Sequence, residues 1–490
     1  MMTSSEVSAS PYGSQWQSIN WKPIEQQVLK LQMRIAKATR EGKHGRAKAL
    51  QWILTHSHSA KLLAVKRVSQ NKGSKTPGID GVIWNTDARR MIAVTQLSRK
   101  GYQAKPLRRI YIPKKNGKLR PLGIPCMVDR AQQALYLLAL EPISETFADP
   151  NSYGFRPNRS TADAIAQCFK CLCQKNSSQW VLEGDIKACF DKIGHQWLID
   201  NIQLDKRMLQ QWLGCGFIDK GLFYKTPEGT PQGGIISPTL MLLTLAGLEQ
   251  LVKAIARKTG NRVNFIGYAD DFVITGTSKE VLVNEIKPQL MHFLEERGLT
   301  LSEEKTHVTH INDGFDFLGF NVRKYKSKLL IKPSKSNVLL FLSNMRKLIK
   351  AHATMAVNDL IKLMNPKLRG WSNYYHHCVA KQTFGYVGHQ IFQALWRWAV
   401  RRHPTKGKRW VAHKYFLNRK GQWQFHGWEK IADMDCAFNL VQISRTLIKR
   451  HVKIRSAATP FHPEFVDYLR KRKQTKVSRK SWFEPVPTAL

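Results

Sequence analysis

Acidic residues are scarce in this chain of 490 residues. It carries 35 Asp and Glu against 78 Lys and Arg, which gives a formal net charge of +43. From residue 321 onward there are 35 basic and 7 acidic residues, so the last third holds an excess of 28 positive charges. Such an excess implies a polyanionic partner that is bound with a steep dependence on salt, and nucleic acid is the natural candidate. We therefore predict that the last third is a binding surface.

Long hydrophobic runs and a signal peptide are also missing. No apolar run approaches the roughly 20 residues that span a bilayer, and residues 1–15 are polar and Ser-rich without an apolar core. The eight cysteines are scattered except at Cys168, Cys171 and Cys173, where they continue a helical pattern and no second Cys pair follows to complete a zinc site. These absences predict a cytoplasmic protein with no membrane partner.

Two adjacent acids, Asp270 and Asp271, interrupt a strand-like apolar run at 263–276. A bare Asp pair would be an ordinary exposed turn, but a second short strand, beginning at Trp180, also ends on an acid, Asp185. Strands disfavour Asp, and adjacent carboxylates near a core repel each other unless a cation neutralises them. Hard oxygen ligands from two strands suit a pair of Mg²⁺ ions. The pattern predicts that Asp185 and Asp270 bind metal directly.

These acids belong to an ordered series of motifs that resembles the reverse transcriptases encoded by bacterial group II introns, also called maturases. In chain order the motifs occupy 71–81, 109–125, 153–160, 180–191, 230–238, 268–271, 301–306 and 317–320. Their order makes the series far more specific than any single motif. The resemblance covers almost the whole chain.

The resemblance implies an α+β fold of the right-hand polymerase type, with fingers, a palm built on an antiparallel sheet, a helical thumb or maturase domain and a basic DNA-binding region. We place an N-terminal helical extension at 1–75, fingers and palm at 76–320, the thumb/maturase (X) domain at 321–402 and the basic DNA-binding region at 403–490. The extension is expected to contain two helices between Trp21 and Leu63.

The resemblance also assigns side chains to the metal and the incoming nucleotide. The metal set is two Mg²⁺ ions held by three catalytic acids, with Asp271 beside the two direct ligands, and by the Ile186 carbonyl. Lys114 and Arg120 resemble the finger residues that neutralise a nucleoside triphosphate, although such basic hairpin tips are otherwise solvated faces. Phe190 matches the aromatic residue that excludes a ribose 2′-hydroxyl, with core packing as the alternative. Gln232, in a Gly-rich loop, is placed against the nucleotide.

Further residues are assigned to the template and the primer. The implied set is Tyr153, Phe155, Arg156, Lys305, Leu318 and Gly319. The last two form the motif that resembles the primer grip, although the end of any apolar strand would look the same.

The activity implied by the resemblance is RNA-directed DNA polymerisation, in which intron RNA is copied into DNA, together with binding of that RNA to assist splicing and retrohoming. The implied partners are group II intron RNA, an RNA template with a DNA primer, target DNA and deoxynucleoside triphosphates (dNTPs), in the bacterial cytoplasm at the nucleoid. The alternative is a non-catalytic RNA-binding splicing cofactor, which the intact acids disfavour. An RNA-dependent RNA polymerase is disfavoured by Phe190.

Many members of this family continue into an HNH nuclease with paired Cys-x-x-Cys motifs. The last cysteine of this chain is Cys436, and no such pair follows it. We therefore expect the chain to lack the HNH endonuclease domain.

Overall fold

The computed structural model describes residues 15–113, 117, 119–419, 422–431 and 434–481. These residues form two compact units. The first unit comprises residues up to 160, 182–308 and 454–474, and the second comprises 161–181, 309–453 and the residues from 475 on. The predicted division of the chain into four regions stays a prediction.

Helices and strands are both abundant in the described residues, as the predicted α+β class requires. The helices are α1 Trp21–Arg40, α2 His44–His56, α3 His58–Ser69, α4 Asp87–Gln96, α5 Met127–Phe147, α6 Thr161–Leu172, α7 Cys189–Lys192, α8 His195–Asn201, α9 Lys206–Gly214, α10 Ser237–Thr244, α11 Leu248–Thr259, α12 Lys287–Glu295, α13 Lys335–Ala351, α14 Val357–Tyr375, α15 Lys381–Arg402, α16 Lys408–Tyr415 and α17 Val466–Ser481. The strands are β1 Leu107–Pro113, β2 Leu119–Ile124, β3 Trp180–Asp185, β4 Phe217–Asp219, β5 Leu222–Tyr224, β6 Asn264–Tyr268, β7 Asp271–Gly276, β8 His307–His310, β9 Phe315–Phe317, β10 Phe320–Tyr325, β11 Lys328–Pro333, β12 Phe416–Arg419, β13 Gln422–Ile431 and β14 Met434–Asn439.

The N-terminal part of the first unit is helical, but it begins with three helices where two were expected. The additional boundary lies at Ser57, whose extended backbone separates α2 from α3. Its hydroxyl accepts a hydrogen bond from the Ala60 amide at 3.2 Å, which is the usual cap of a helix start. The three helices pack against α5, whose central residues Ala131, Ala134 and Leu140 are fully buried.

A four-stranded sheet in the first unit has the order β2-β1-β4-β5. Strands β1 and β2 are antiparallel, with Ile112 opposite Arg120. This confirms the strand-turn-strand pattern predicted for the basic motif. The turn between the two strands contains Lys114, which lies outside the described residues.

A second four-stranded sheet, with the order β6-β7-β3-β8, supports the acidic motifs. Strands β6 and β7 form an antiparallel hairpin in which Tyr268 pairs with Asp271. The apolar side chains of these strands are buried, including Leu182, Ile266 and Ile274. The sheet is therefore anchored by its core while the polar ends of the strands remain accessible.

One helical stretch, Ser237–Lys258, is apolar and long enough to cross a membrane by length and composition. The expectation that no apolar segment approaches this length was wrong. This is weak evidence for a span, because half of the apolar window is buried within the protein. The stretch is also divided into α10 and α11 at Gly247, which has a φ of +100°.

The second unit contains a three-stranded sheet of order β11-β10-β9, the helices α13 to α15, and a three-stranded sheet of order β12-β13-β14. The buried apolar face of α13 consists of Val338, Leu342, Met345 and Ile349, whereas Leu339 is 49% exposed. The sheet of β12 to β14 was not predicted, since that part of the chain was identified only as a basic DNA-binding region.

Residues 454–474 return to the first unit, so the predicted basic region 403–490 is shared between the two units. Ile454, Ala458 and Phe461 are at most 4% exposed. Arg159 donates hydrogen bonds to the carbonyls of Ser456, at 2.7 Å, and Ala458, at 3.1 Å. This segment is therefore part of a folded core rather than a free basic tail.

Candidate functional site

The three predicted acids meet at one end of the β6-β7-β3-β8 sheet. Asp185 is the last residue of β3, and Asp271 begins β7, the neighbouring strand. Asp270 and Ala269 form the two-residue loop of the hairpin, and Ala269 has a φ of +59°. Tight hairpin loops of this length require left-handed backbone. The hairpin therefore places Asp270 at its tip, as the sequence predicted.

Two glycines allow neighbouring segments to approach the acids closely. A Cβ atom on Gly154 would lie 2.2 Å from the Ala269 amide nitrogen, so the loop containing Gly154 packs directly on the hairpin tip. A Cβ atom on Gly184 would lie 2.2 Å from the Phe272 ring. Neither contact leaves room for a side chain. The position of the acids thus depends on both glycines.

The acids are partly buried and repel one another. Burial raises the pKa of Asp270, and the nearby charge of Asp185 adds to this effect. Burial also raises the pKa of Asp271 to about 7, with further contributions from the charges of Asp270 and Asp185 and from a hydrogen bond to Asp185. Lys305 Nζ lies 2.8 Å from Asp185 Oδ2, and this hydrogen bond raises the lysine pKa. The cluster therefore carries excess negative charge that attracts cations.

The donor set fits divalent metal ions. In the part of the chain that the structure describes, no group of three or more His, Cys, Asp and Glu side chains forms a ready metal-binding cluster. The carboxylate oxygens of Asp185, Asp270 and Asp271 are nevertheless hard ligands of the kind that Mg²⁺ prefers, and a cation would relieve their mutual repulsion. Lys305 supplies positive charge at that position here. The role of the Ile186 carbonyl as a further metal ligand stays a prediction.

The raised pKa of Asp271 predicts a pH effect on stability without metal. Between about pH 4, where an unperturbed Asp titrates, and about pH 7 the folded protein binds more protons than the unfolded chain. The free energy of unfolding is therefore expected to fall as pH rises through this window. Asp271→Asn is expected to flatten that dependence and to raise the melting temperature above pH 7.

Thermal melts of the metal-free protein at pH 5 and pH 8 check this prediction. Added Mg²⁺ is expected to raise the melting temperature of the wild type at pH 8 more than that of Asp271→Asn. As a control, Asp313→Asn changes an exposed acid in the second unit and is expected to behave as the wild type. An equal rise in melting temperature with Mg²⁺ in the wild type and in Asp271→Asn would contradict the assignment of Asp271 to the metal site.

Arg120 is exposed on β2 and lies within electrostatic range of the acids, because its charge opposes the rise in the pKa of Asp270. The structure thus places Arg120, the residue predicted to bind the triphosphate, near the acids. Lys114 lies outside the described residues, and its predicted role stays a prediction.

Phe190 and Gln232 lie on two segments that are joined by hydrogen bonds. The Phe190 ring is half-buried and makes an edge contact with Phe155, with ring centroids 6.2 Å apart. The Phe190 carbonyl accepts a hydrogen bond of 2.6 Å from the Thr230 amide. Gln232 Nε2 lies 3.2 and 3.1 Å from the two carboxylate oxygens of Asp191. Asp191 was missed in the sequence, although its signal, an acid directly after Phe190, was present.

The motif at 153–160 contains one exposed and two buried members of the predicted template set. Phe155 is 53% exposed, so it remains available to a template strand. Tyr153 is 1% and Arg156 7% exposed. Arg156 donates hydrogen bonds to both carboxylate oxygens of Glu145, at 2.7 and 3.0 Å. Because both side chains are buried, they stabilise the loop from within, and a direct template contact by Tyr153 or Arg156 is not supported.

Lys305 has a partner that the sequence did not predict, and its predicted role stays a prediction. The resemblance assigned it to the template or primer, whereas its ammonium group pairs with Asp185. Its side chain is 64% exposed. The pairing follows from the fold, because the Ser302 amide bonds to the Asp185 carbonyl at 2.8 Å and so brings the segment of Lys305 to the end of β3. Sequence spacing alone does not show this proximity.

Leu318 and Gly319 belong to the second unit, where they form a two-residue hairpin loop between β9 and β10. Both have left-handed backbone, with φ values of +51° and +80°. Tyr374 and Tyr375 donate hydroxyl hydrogen bonds to their carbonyls, at 2.8 and 3.1 Å. The loop is therefore a rigid, half-buried structure, and its predicted contact with primer stays a prediction.

Three family models match the chain in order. They are the N-terminal domain of reverse transcriptase at residues 16–97, reverse transcriptase (RNA-dependent DNA polymerase) at 112–322 and the group II intron maturase-specific domain at 338–416.

Curated relatives agree with these matches. Protein YkfC of Escherichia coli K12 is 36% identical over 306 residues, which cover 54% of this chain and 80% of YkfC. Group II intron-encoded protein LtrA of Lactococcus lactis subsp. cremoris is 30% identical over 340 residues, and the chain spans 56% of its length. A solved apo telomerase of Candida tropicalis has a TM-score of 0.39 at 12% identity over 62% of this chain and 59% of that one, which is too distant to support a conclusion. The three ordered family matches, together with the similarity to LtrA, show that the chain belongs to the group II intron-encoded reverse transcriptases.

Proposed function

We propose that this chain is an RNA-directed DNA polymerase that copies intron RNA into DNA. The observation that carries the proposal is the meeting of Asp185, Asp270 and Asp271 at one sheet end, within range of the positive charge of Arg120. Acids that repel one another in a folded core are maintained against their cost in stability, which indicates a chemical role. The family membership supports the same activity.

The residues divide the work of nucleotidyl transfer. Asp185 and Asp270 would hold two Mg²⁺ ions, with Asp271 and the Ile186 carbonyl beside them. Bound there, the ions would supply charge neutralisation at the attacking and leaving oxygens. Arg120 faces the same charge and is suited to bind the triphosphate of the incoming nucleotide. The primer 3′-oxygen attacks the α-phosphate, a new phosphodiester bond forms and pyrophosphate leaves.

Extension of a DNA primer annealed to an RNA template tests the proposal. The protein with Mg²⁺ and dNTPs is expected to extend the primer to the end of the template, and ribonucleotides are expected to be used poorly. Omission of Mg²⁺ is the control. Binding of the primer–template without any extension would instead favour the non-catalytic splicing cofactor.

We also propose that the chain binds its parent intron RNA and target DNA, assisting splicing and retrohoming in the bacterial cytoplasm at the nucleoid. The excess of 28 positive charges after residue 320 supports a polyanionic partner. In the second unit Lys406, Lys408, Arg409 and Lys414 are exposed around Trp410, which is 39% exposed. Exposed aromatic and basic side chains together are typical of nucleic-acid surfaces.

Replacing Lys406, Lys408, Arg409 and Lys414 by Gln is expected to weaken RNA binding and its salt dependence. Each lost phosphate contact lowers the slope of log K against log salt by about 0.7 to 0.9. The slope is measured from RNA dissociation constants between low and moderate salt. Substitution is preferable to deletion of 403–490, because residues 454–474 are part of the first folded unit.

The matched control removes four positive charges from another exposed surface. Lys253, Arg257, Lys258 and Arg262 lie on α11 and just after it, in the first unit, and are exposed. Replacing them by Gln changes the net charge equally. Equal loss of slope in the two variants would mean that only total charge matters and that residues 406–414 are not the contact surface.

A further inference from the structure

The side chain of Asp191 faces the loop that carries Gln232. Asp191 is exposed and lies in α7, directly after Phe190. Gln232 Nε2 is 3.2 Å from Asp191 Oδ1 and 3.1 Å from Oδ2. An ionised carboxylate only accepts hydrogen bonds, so the end of the Gln232 amide that faces it is the nitrogen. The carbonyl oxygen of Gln232 is thereby directed away from Asp191.

The backbone of this loop is held independently of that contact. The Gly229 amide donates to the Ile193 carbonyl at 2.8 Å, and the Thr230 amide donates to the Phe190 carbonyl at 2.6 Å. His195 Nε2 lies 2.7 Å from the Gly229 carbonyl, to which it donates. Gly229 has a φ of +83°, and a Cβ atom there would lie 2.6 Å from the Asp191 backbone. The loop therefore follows α7 closely without the Asp191 side chain.

The far side of the loop is equally constrained. A Cβ atom on Gly233 would lie 2.4 Å from the Gly123 carbonyl of β2. The Ile235 amide donates to Oε1 of Gln133 at 2.9 Å, and Gln133 is 2% exposed. The backbone is fixed on both sides of Gln232. The contact with Asp191 therefore restricts only the rotation of the Gln232 side chain.

We propose that Asp191 is a positioning residue for the nucleotide site: it orients the Gln232 amide so that a carbonyl acceptor, rather than an amide donor, is presented beside Phe190. This inference rests on the proposed polymerase function. Because the orientation is set before the nucleotide binds, its loss is expected to weaken nucleotide binding more than the chemical step.

Single-nucleotide incorporation on an RNA template tests this role. Asp191→Asn is isosteric but removes the requirement for a donor, so the Gln232 amide can rotate. We expect the KM for a dNTP to rise about five- to tenfold, with kcat changed less than twofold. In the Gln232→Ala background, Asp191→Asn is expected to have no further effect, because the group through which it acts is gone.

Glu228→Gln is the matched control, since Glu228 pairs with Lys192 beside the same loop and loses the same charge. It is expected to leave KM and kcat unchanged. An effect of Asp191→Asn that persists in full in the Gln232→Ala background would overturn the proposal, because a structural or purely electrostatic role would act without Gln232. The absence of any effect of Asp191→Asn in either background would overturn it too.

A second measurement needs no turnover. In protein with ¹⁵N-labelled glutamine, the side-chain amide signal of Gln232 is identified by its loss in Gln232→Ala. Asp191→Asn is expected to shift this signal, and Glu228→Gln is expected to leave it in place. An unshifted signal in Asp191→Asn would overturn the inference whether or not the protein polymerises. If Asp191→Asn shifts the signal but the wild type incorporates no nucleotide, the proposed function alone would be overturned.

Discussion

Asp270→Asn is expected to abolish primer extension while leaving RNA affinity nearly unchanged. The substitution keeps the size of the side chain but removes a charged ligand from the tip of the β6–β7 hairpin. Loss of several kcal/mol of charge stabilisation corresponds to at least about 100-fold in rate, since each 1.4 kcal/mol is a factor of ten. Incorporation rates and RNA dissociation constants, measured on the same preparations, provide the two readouts.

The variant is expected to remain folded, because Asn removes the like-charge repulsion that Asp270 experiences from Asp185. Asp313→Asn again serves as the control for the loss of one acid elsewhere. Retention of more than a few per cent of primer extension by Asp270→Asn would rule out this acid as a metal ligand. Loss of RNA binding in parallel would show that the acids and the RNA surface are not separate.

Phe190→Val is expected to admit ribonucleotides. We propose that the Phe190 ring stands where a ribose 2′-hydroxyl projects, so that discrimination between the sugars is steric. A clash of that kind costs several kcal/mol of transition-state binding, and shrinking the ring is expected to raise the efficiency of ribonucleotide use relative to dNTP use by about tenfold or more. Use of dNTPs is expected to fall much less. Both rates are measured on one RNA template.

Core packing is the competing explanation, because the Phe190 ring is half-buried and contacts Phe155. It predicts a lower melting temperature and a parallel loss of activity towards both sugars. Phe155→Val is the matched control, since it removes the same ring contact from the exposed side. An unchanged ratio in Phe190→Val, or an equal change of ratio in Phe155→Val, would exclude Phe190 as the gate.

The elements that the sequence predicted well are those with strong local signals. The β6–β7 hairpin was visible because two acids interrupt an apolar strand pattern, and the β1–β2 hairpin because a turn separates two strand-like runs. The break at Ser57 was less visible, because its capping contact is only a hydroxyl and an amide three residues apart. The sheet of β12 to β14 was missed because that region was identified by its charge, although residues 422–426 alternate between polar and apolar side chains.

Among the site residues, the sequence did not predict the partners of two charged side chains, Arg156 and Lys305. The resemblance assigned Arg156 to the template. Its partner Glu145 precedes it by 11 residues in α5, and burial turns the pair into a structural ion pair. Lys305 is 120 residues from Asp185, so only the fold shows that they meet.

By itself, the sequence identified the family, the three acids that meet in the fold and a polyanionic class of partner, because ordered motifs and net charge are properties of the chain alone. The tertiary structure alone decided that Gly154 packs on the hairpin tip, that Lys305 pairs with Asp185 and that Asp191 accepts hydrogen bonds from Gln232. It also decided that residues 454–474 complete the first unit. These features are contacts between segments far apart along the chain, and no local pattern encodes them, because they exist only once both segments have packed.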